Sequence, residues 1–372
     1  MSHVLRRSVD DARIAAVGVG LRILGLPGIR SRALESLDHS GMILMFHHVG
    51  PPRSDRLPVN QGLEVTPETL DRVLCSLKAQ DYDIVSMDEA PERLARWTQG
   101  RKRFAALTFD DGGRDNLLHA APVLLRHGVP FTVYVTTDFP SGLTAPWWHV
   151  VERAALAATS LAVETDVGIR VFDTSNKWKK IQTAKTLHGI LWGAPEERRA
   201  LETIALARQA GLDLRALAHE LFMDWTELGE ISALPGCTIG AHTKTHPKLA
   251  QMDATAATRE ISEGRDIIRQ RLGVKVDHFA YPYGGAGTCG EREFAMIGAE
   301  RFVTAVTTRK NVLRSTDVNG LTNLPRVPIN GYFQHPAMID ALVCGLPMVL
   351  KQMNIQRKNV ARGAKTISVP GY

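Results

Sequence analysis

The residues best suited to chemistry begin with two adjacent carboxylates. Asp110 and Asp111 follow an apolar run that ends at Phe109, and the pair Gly112-Gly113 comes directly after them. Two like charges this close raise the proton affinity of one carboxyl group, unless a cation lies beside them. Taken alone, the pattern fits a solvated Asp-Asp-Gly turn as well as it fits a cation-binding site.

The second group is a pair of histidines four residues apart. His242 and His246 follow the apolar run Cys237–Ala241, and a surface loop with two histidines would explain them equally well. Together with Asp111, however, they offer one oxygen and two nitrogen ligands, a set typical of a catalytic metal site with a position open to water. Asp110 would then remain beside the metal as a general base.

These groups need a fold that brings distant parts of the chain together. Apolar runs rich in β-formers alternate with helical patterns, which indicates a parallel sheet covered by helices on both faces. Seven such runs favour a barrel over an open sheet. The seven runs are 42–47, 83–86, 104–110, 130–136, 237–242, 276–281 and 301–306.

Polar clusters follow four of the predicted strands. In a parallel barrel the carboxyl ends of the strands meet at one face, where catalytic groups gather. Four polar clusters fall at such ends: Asp110-Asp111, His242, the stretch 281–285 and the pair His47-His48. The pattern predicts a metal-dependent hydrolase.

The segments outside the strands predict the domain organisation. Thr66-Pro67 offers an N-cap and a first-turn proline ahead of a helical apolar pattern. About a hundred residues separate two of the strands, too many for a structureless loop, so we expect a helical insertion at about 141–232. We expect residues 1–40 to form an N-terminal helical extension, 41–335 the barrel with its insertion, and 336–372 a basic C-terminal extension.

Composition narrows the class of protein. Hydrophobic residues make up 44% of the 372 residues and charged residues 23%, which excludes a collagenous or mainly disordered chain. The formal net charge of +6 hints at an anionic surface or ligand, but the basic residues are scattered, and we expect no nucleic-acid partner. The four cysteines lie far apart and are expected to be reduced thiols.

The two ends of the chain give the sequence features that bear on where in the cell the protein is located. No apolar stretch is long enough to cross a bilayer, and Asp10-Asp11 with Arg13 interrupt the place where a signal peptide would have its apolar core. We therefore expect a cytoplasmic protein, and the sequence leaves its oligomeric state open. A solvated tail is the favoured interpretation of the basic C-terminus, and weak contact with a membrane surface is the alternative. The basic residues of that tail are Lys351, Arg357, Lys358, Arg362 and Lys365.

Three segments, in this order, resemble the motifs of the polysaccharide deacetylase family, also known as the NodB-homology group or carbohydrate esterase family 4. They are Thr108–Gly113, His242–His246 and Tyr281–Gly285, and the resemblance extends over roughly residues 41–330. It implies an α/β fold, a distorted (β/α)7 barrel of the NodB-homology type.

The resemblance also implies an activity, the metal-assisted removal of acetyl groups from N-acetylated sugars of an oligosaccharide or polysaccharide. It implies a divalent metal, most often Zn²⁺, held by Asp111, His242 and His246, with Asp110 activating the water. The oxyanion contact would come from the metal and from the backbone N–H of Tyr283.

The sequence departs from the family pattern at two positions. Many members carry an arginine where this chain has Ala280, and Arg326 could supply that charge, although a surface arginine is an equally good interpretation. The Leu-x-His motif that provides the general acid in many members is not evident after Arg326. Phe46-His47-His48-Val49 instead resembles the branch that deacetylates poly-N-acetylglucosamine, which makes His47 the candidate acid and His48 a neighbour that packs or bonds locally.

Trp148 is a candidate substrate contact at the start of the predicted insertion. Indole faces commonly stack on sugar rings, but a buried tryptophan that anchors the insertion is more common. Two other functions stay open. One is an esterase or amidase of the same fold, and the other is a catalytically silent carbohydrate-binding relative, against which the retention of both aspartates and both histidines argues.

Overall fold

The computed structural model describes residues 2–30, 37, 39–165 and 167–350, with side chains from residue 12 onward. Its helices are α1 (Ser2–Leu24), α2 (Pro67–Ala79), α3 (Ala90–Ala95), α4 (Ala121–His127), α5 (Trp147–Ala157), α6 (Lys177–Gly193), α7 (Glu196–Gln209), α8 (Leu214–Leu221), α9 (Trp225–Ser232), α10 (Ala254–Leu272), α11 (Glu291–Ala299) and α12 (Pro336–Val343). Its strands are β1 (Gly41–Phe46), β2 (His48–Val49), β3 (Glu64–Val65), β4 (Asp83–Val85), β5 (Phe104–Phe109), β6 (Phe131–Val135), β7 (Ser160–Thr165), β8 (Gly168–Asp173), β9 (Cys237–Ala241), β10 (His278–Ala280), β11 (Thr304–Lys310) and β12 (Leu324–Pro328).

Seven parallel strands close into a barrel in the order β1, β5, β6, β9, β10, β11 and β12. The ring closes at β1, which pairs with β5 on one side and with β12 on the other. Strands β1, β5 and β6 are buried along their whole length, as their near-continuous apolar sequences predict for a sheet covered on both faces. The predicted α/β class and (β/α)7 barrel are confirmed.

The membership of the barrel differs from the prediction at one strand. The seventh barrel strand is β12, whereas the predicted run 83–86 forms β4, a short strand beside the first half of β5. The second half of β5 pairs with β6 from Thr108 onward. Pro325 and Pro328 hide β12 in the sequence, because proline lacks the N–H that a central strand donates and normally marks a strand edge.

The helix start predicted at Thr66-Pro67 is confirmed. The Thr66 hydroxyl accepts a hydrogen bond from the backbone N–H of Thr69 at 3.2 Å, and Pro67 occupies the first helical position of α2. The apolar face of α2, which includes Leu70 and Leu74, is buried in the main core around the barrel.

The chain between β6 and β9 forms helices α5 to α9 and one antiparallel hairpin, β7–β8. This segment has a hydrophobic core of its own, built mainly from α5, α6, α7 and α8. The helical pattern of this segment did not predict the hairpin, in which Gly168 lies in the left-handed region. The boundaries proposed for the insertion and for the two extensions stay predictions.

At the ends of the described chain, α1 packs against α12, and α12 packs against α2. No helix in residues 2–30 or in the rest of the described chain combines the length and apolarity needed to cross a membrane. The basic tail, 351–372, with its predicted solvation or membrane contact, lies outside the described residues.

A close contact between β1 and β5 predicts a stability effect. A methyl group at position 41 would lie 2.2 Å from the carbonyl oxygen of Phe104 in β5. Gly41→Ala must therefore push β1 away from β5 where the barrel closes. We expect the free energy of unfolding, measured by urea denaturation, to fall by about 1–3 kcal/mol.

Gly189, inside α6, is the matched control, because nothing lies within 4 Å of a methyl group placed there. Gly189→Ala should leave stability unchanged or raise it by up to about 1 kcal/mol, since alanine favours a helix over glycine. Equal losses in the two variants would contradict the close approach at Gly41.

Candidate metal centre

The candidate site lies at the carboxyl ends of the barrel strands. Asp110 and Asp111 follow β5, His242 and His246 follow β9, and Tyr283 follows β10. His47 follows β1, and Arg326 lies within β12. Closure of the barrel brings these segments, which are far apart in the sequence, to one face.

Asp111, His242 and His246 form a compact three-ligand group. Asp111 Oδ1 lies 3.3 Å from Nε2 of His242 and 3.3 Å from Nε2 of His246. One ligand atom from each residue falls within 4.8 Å of the others, and all three side chains are buried. One carboxylate oxygen and two imidazole nitrogens at this spacing are a set that a divalent metal accepts.

The hydrogen bonds around this group leave atoms that can ligate a cation without another partner. His242 Nδ1 donates to the carbonyl oxygen of Ala280 at 2.7 Å, so its Nε2 offers a lone pair on the side of Asp111. Asp111 Oδ1 and His246 Nδ1 are buried, yet neither has a hydrogen-bond partner among the described residues. Buried polar atoms rarely stay unpaired, and a bound metal ion would satisfy the carboxylate oxygen, so the residues fit such an ion.

Strained backbone concentrates at this site. Asp111, Thr243, His246 and Tyr283 all have positive φ angles, between 60° and 74°. They are four of the six non-glycine residues with positive φ in the described chain. Such conformations are sparsely populated by L-residues and persist where surrounding contacts hold them. The turns after β5, β9 and β10 are therefore held in shapes that serve the site.

The charges of the site depend on one another. Burial alone would raise the pKa of Asp111, but the adjacent imidazoles of His242 and His246 hold it well below its usual value. Burial lowers the pKa of His246, whereas for His242 the attraction to Asp111 and Asp110 outweighs burial and raises the pKa. Asp111 is thus ionised inside a low-dielectric site.

Asp110 is held by Arg326 in a two-pronged ion pair. The guanidinium donates to the two carboxylate oxygens at 2.7 and 2.6 Å, and the side chains are 0% and 2% exposed. Arg326 also donates to the Thr108 hydroxyl and to the Thr307 carbonyl oxygen. Burial alone would raise the pKa of Asp110, but Arg326 outweighs it and the pKa is lowered. Of the two interpretations of Arg326, the structure excludes the exposed surface arginine.

His47 lies beside the same carboxylate. Its Nε2 is 3.9 Å from Asp110 Oδ2, and its side chain is partly exposed to the cavity above the metal group. Burial lowers the pKa of His47 against the opposing attraction of Asp110 and Asp111. A lowered pKa makes the protonated imidazole a stronger acid than ordinary histidinium.

A cavity of about 340 Å³ opens over these groups. Trp148 and Tyr283 line it, and both rings contact the His246 ring, at 5.0 and 4.7 Å between centroids. Trp148 is buried, so it anchors the insertion and also presents atoms to the cavity. Sequence reasoning missed further lining residues from two parts of the chain: His188 and Trp192 from the insertion, and Val59, Leu63 and Tyr332 from the segments after β2 and β12.

Sequence reasoning also missed a row of polar side chains in contact with one another behind the cavity. His48 Nδ1 lies 2.9 Å from Asp115 Oδ2, and its Nε2 lies 3.2 Å from Nε2 of His149. His149 is fully buried, with its Nδ1 4.0 Å from a carboxylate oxygen of Glu152. The expectation that His48 bonds locally describes it only in part, since its partners join the barrel to α5. In the sequence, the position of His149 next to Trp148 was the one sign that it lies near the site.

A second grouping with metal-ligating atoms lies on the outer surface. Asp71 and Cys75 of α2 approach His127 at the end of α4. This grouping is half-exposed, and its atoms are already paired, since Asp71 contacts Arg126 at 3.2 Å and His127 contacts Lys78 at 3.2 Å. Two cations at this position disfavour a further one, so the buried group is the stronger candidate.

Comparison with known proteins places the chain beside deacetylases. The family described as polysaccharide deacetylase matches residues 196–289, a range that contains His242–His246 and Tyr281–Gly285. This match confirms the resemblance at these two motifs, and Thr108–Gly113 lies outside the matched residues. No curated protein matches the sequence at a significant level.

Two solved structures share the fold. A Streptococcus pyogenes deacetylase, PplD in complex with acetate, is 18% identical with a TM-score of 0.52, over 79% of this chain and 94% of its own. IcaB from Ammonifex degensii is 18% identical with a TM-score of 0.50, over 81% of this chain and 97% of its own. At this identity the likeness establishes the barrel and leaves the activity to the residues of the site.

The ion pair between Asp110 and Arg326 predicts a large stability effect. Arg326→Gln leaves a buried carboxylate without its cation, and we expect the free energy of unfolding at neutral pH to fall by about 3–5 kcal/mol. Arg114→Gln is the control, because Arg114 is 44% exposed in its ion pair with Glu227, and such pairs contribute about 1 kcal/mol or less. Similar small losses in both variants would contradict the buried pair.

Proposed function

We propose that the protein is a metal-dependent hydrolase that removes acetyl groups from N-acetylated sugars of an oligosaccharide or polysaccharide. The observation that carries the proposal is the buried group of Asp111, His242 and His246, with Asp110 and His47 beside it at the floor of a cavity. The family match over 196–289 supports the same class of reaction.

Asp111, His242 and His246 would hold the metal. When bound, a divalent ion, most often zinc in sites of this kind, supplies a Lewis acid that polarises the substrate carbonyl and acidifies water. Asp110 is the better base of the two aspartates, because Arg326 fixes its orientation beside the group, whereas Asp111 would be occupied as a ligand. The same ion pair weakens its basicity, so Asp110 is suited to a water molecule that has already been made more acidic.

The amine that leaves needs a proton. An amide nitrogen departs as a neutral amine, and some acid must protonate it as the tetrahedral intermediate collapses. His47 is suited to this role, since it borders the cavity and its protonated form is a strong acid for an imidazole. The proton that Asp110 takes from water can return to His47 once the two groups, 3.9 Å apart here, come within hydrogen-bond distance, which restores both groups for the next turnover.

The backbone N–H of Tyr283 is the proposed donor to the oxyanion. No described residue accepts a hydrogen bond from it, so it is available to a substrate oxygen at the cavity wall. Trp148, in contact with His246, is the proposed surface for the sugar ring.

Two alternatives remain as outcomes of experiment. An esterase or amidase of the same fold would use the same groups on another acylated substrate, and a silent relative would bind sugar without turnover. Retention of both aspartates, both histidines and the ion pair to Arg326 favours turnover. A cytoplasmic location, a weak membrane contact through the basic tail and the absence of a nucleic-acid partner stay predictions.

Metal binding is the first expected property. We expect about one zinc ion per chain by elemental analysis of dialysed protein. The double variant His242→Ala, His246→Ala should lose both the metal and the release of acetate from N-acetylglucosamine oligomers. His127→Ala, which alters only the outer grouping, is the control and should keep both. Full occupancy in the double variant would refute this ligand set.

The two aspartates should separate metal affinity from turnover. Asp110→Asn removes the base but leaves the ligands, so we expect full metal content and a rate lower by about 10²–10⁴. Asp111→Asn removes a charged ligand and should weaken metal affinity, measured by titration against a chelator. An empty site in Asp110→Asn together with a full site in Asp111→Asn would reverse the two roles.

His47→Ala tests the proposed acid with two substrates. Metal content and fold should be unchanged, while deacetylation of an amide should slow by about 10²–10⁴. An aryl acetate should lose far less, because its leaving group departs without protonation. The measurement is kcat/KM for both substrates with wild-type and variant protein, and equal losses on the two would argue against the acid role.

A further inference from the structure

We propose that the cavity accepts an acetylated sugar unit that carries a single linkage, at the end of a chain or in a single-sugar conjugate, and that it excludes the internal units of a polymer. This inference rests on the proposed deacetylase function and adds its substrate class. The inference rests on the side chains that surround the cavity over Asp111, which include Trp192 from the insertion.

An internal sugar unit has a linkage on each side, so the chain must enter and leave the site. A protein that accepts such a unit needs a groove that is open at two ends. A unit with one linkage needs only one opening. The continuity of the wall around the site therefore distinguishes the two classes of substrate.

Residues from the whole ring of strands line the cavity at the barrel mouth. Each barrel strand, or the segment that follows it, supplies a residue to the cavity lining. Strands β10, β11 and β12 are joined by their own hydrogen bonds. Elsewhere the lining segments must be joined by loops, and three joints do this.

The first joint closes the side between β12 and β1. A methyl group at Gly331 would lie 2.1 Å from the carbonyl oxygen of Gln61, and one at Gly62 would lie 2.8 Å from the Tyr332 ring. The loop after β12 therefore touches the loop after β2 with no space between them. The Gln334 side chain fastens this contact, since its oxygen accepts from the Thr66 backbone N–H at 2.9 Å.

The second joint ties the loop after β2 to α5 through Glu152. This carboxylate is 0% exposed, and it accepts from the backbone N–H of Leu57 at 2.8 Å and from the Asn60 side chain at 2.9 Å. Arg56 donates to it at 3.3 Å and balances its charge. A fully buried carboxylate with three donors fixes one arrangement of the two segments.

The third joint ties the insertion to the segment after β10. Trp147 Nε1 donates to the Tyr283 hydroxyl at 2.9 Å, and the Trp192 ring meets the Tyr283 ring edge-on at 5.2 Å. Lys248, from the segment after β9, donates to the carbonyl oxygen of Trp192 and lies 4.5 Å over its ring. Helix α6 is thereby fixed over the cavity.

A neighbouring cavity of about 450 Å³ lies beside the site. Trp147, Trp148, His246 and Tyr283 line both cavities, so these four side chains lie between them. The hydrogen bond between Trp147 and Tyr283 joins two of the four and opposes their separation. The cavity of about 340 Å³ is also at the small end of the range for ligand pockets.

The test compares a polymer-like substrate with a single sugar. The metal-loaded protein is given a reducing-end-labelled hexamer of N-acetylglucosamine and, separately, methyl N-acetylglucosaminide, and tandem mass spectrometry locates each free amine. We expect one free amine per hexamer, at an end unit, and kcat/KM for the methyl glycoside within tenfold of that for the hexamer. Free amines at internal units, or a preference for the hexamer above about 100-fold, would overturn the inference. Acetate release from neither substrate would overturn the proposed function itself.

Two tryptophans of α6 give a matched pair. Trp192→Ala removes part of the wall, and we expect internal free amines to appear at least tenfold above the wild-type level. Trp178→Ala alters an indole that is 69% exposed and does not line the cavity, so its products should match those of wild-type protein. An end-only pattern that persists in Trp192→Ala would overturn the role of this wall in excluding internal units.

Discussion

The site depends on how two adjacent, buried carboxylates are kept ionised. Asp110 and Asp111 lie side by side in a low-dielectric interior, where a single uncompensated charge is strongly destabilising. Arg326 satisfies one of them with two short hydrogen bonds. The other faces two imidazoles and keeps an oxygen without a hydrogen-bond partner in the described structure. This division of partners supports the different roles that we propose for the two neighbours: Asp110 as a base and Asp111 as a ligand.

The barrel is what makes this division possible. Arg326 lies 216 positions after Asp110, and it reaches the carboxylate because β12 closes the ring between β11 and β1. His242 and His246 arrive on β9, from the opposite part of the ring, and left-handed turns at Asp111 and His246 bring their ligand atoms together. The insertion then lies over the site, so that the buried charges and the apolar side chains line one cavity. The proposed chemistry and the proposed substrate selection thus depend on the same closure of the barrel.

The sequence predicted what is local and missed what depends on tertiary packing. Asp111, His242 and His246 could be identified because each stands at the end of an apolar strand, and parallel strands share one end. The strand that carries Arg326 could not be identified from the sequence, because it contains two prolines, which are unusual in a central strand, and its pairing partners are distant. Glu152 is an acidic residue in an ordinary helical pattern, and nothing local indicates that three donors from another loop bury it. Trp192 likewise gains its position only when α6 folds over the barrel.

Anomalous X-ray diffraction at the zinc absorption edge tests this account most directly. Crystals grown with one equivalent of zinc should show one strong peak per chain, about 2.0–2.2 Å from Asp111, His242 and His246. The guanidinium of Arg326 should remain paired with Asp110 in the same map. A peak at Asp71, Cys75 and His127, or a zinc ion bound by Asp110 with Arg326 displaced, would contradict the assignment of base and ligand to the two aspartates.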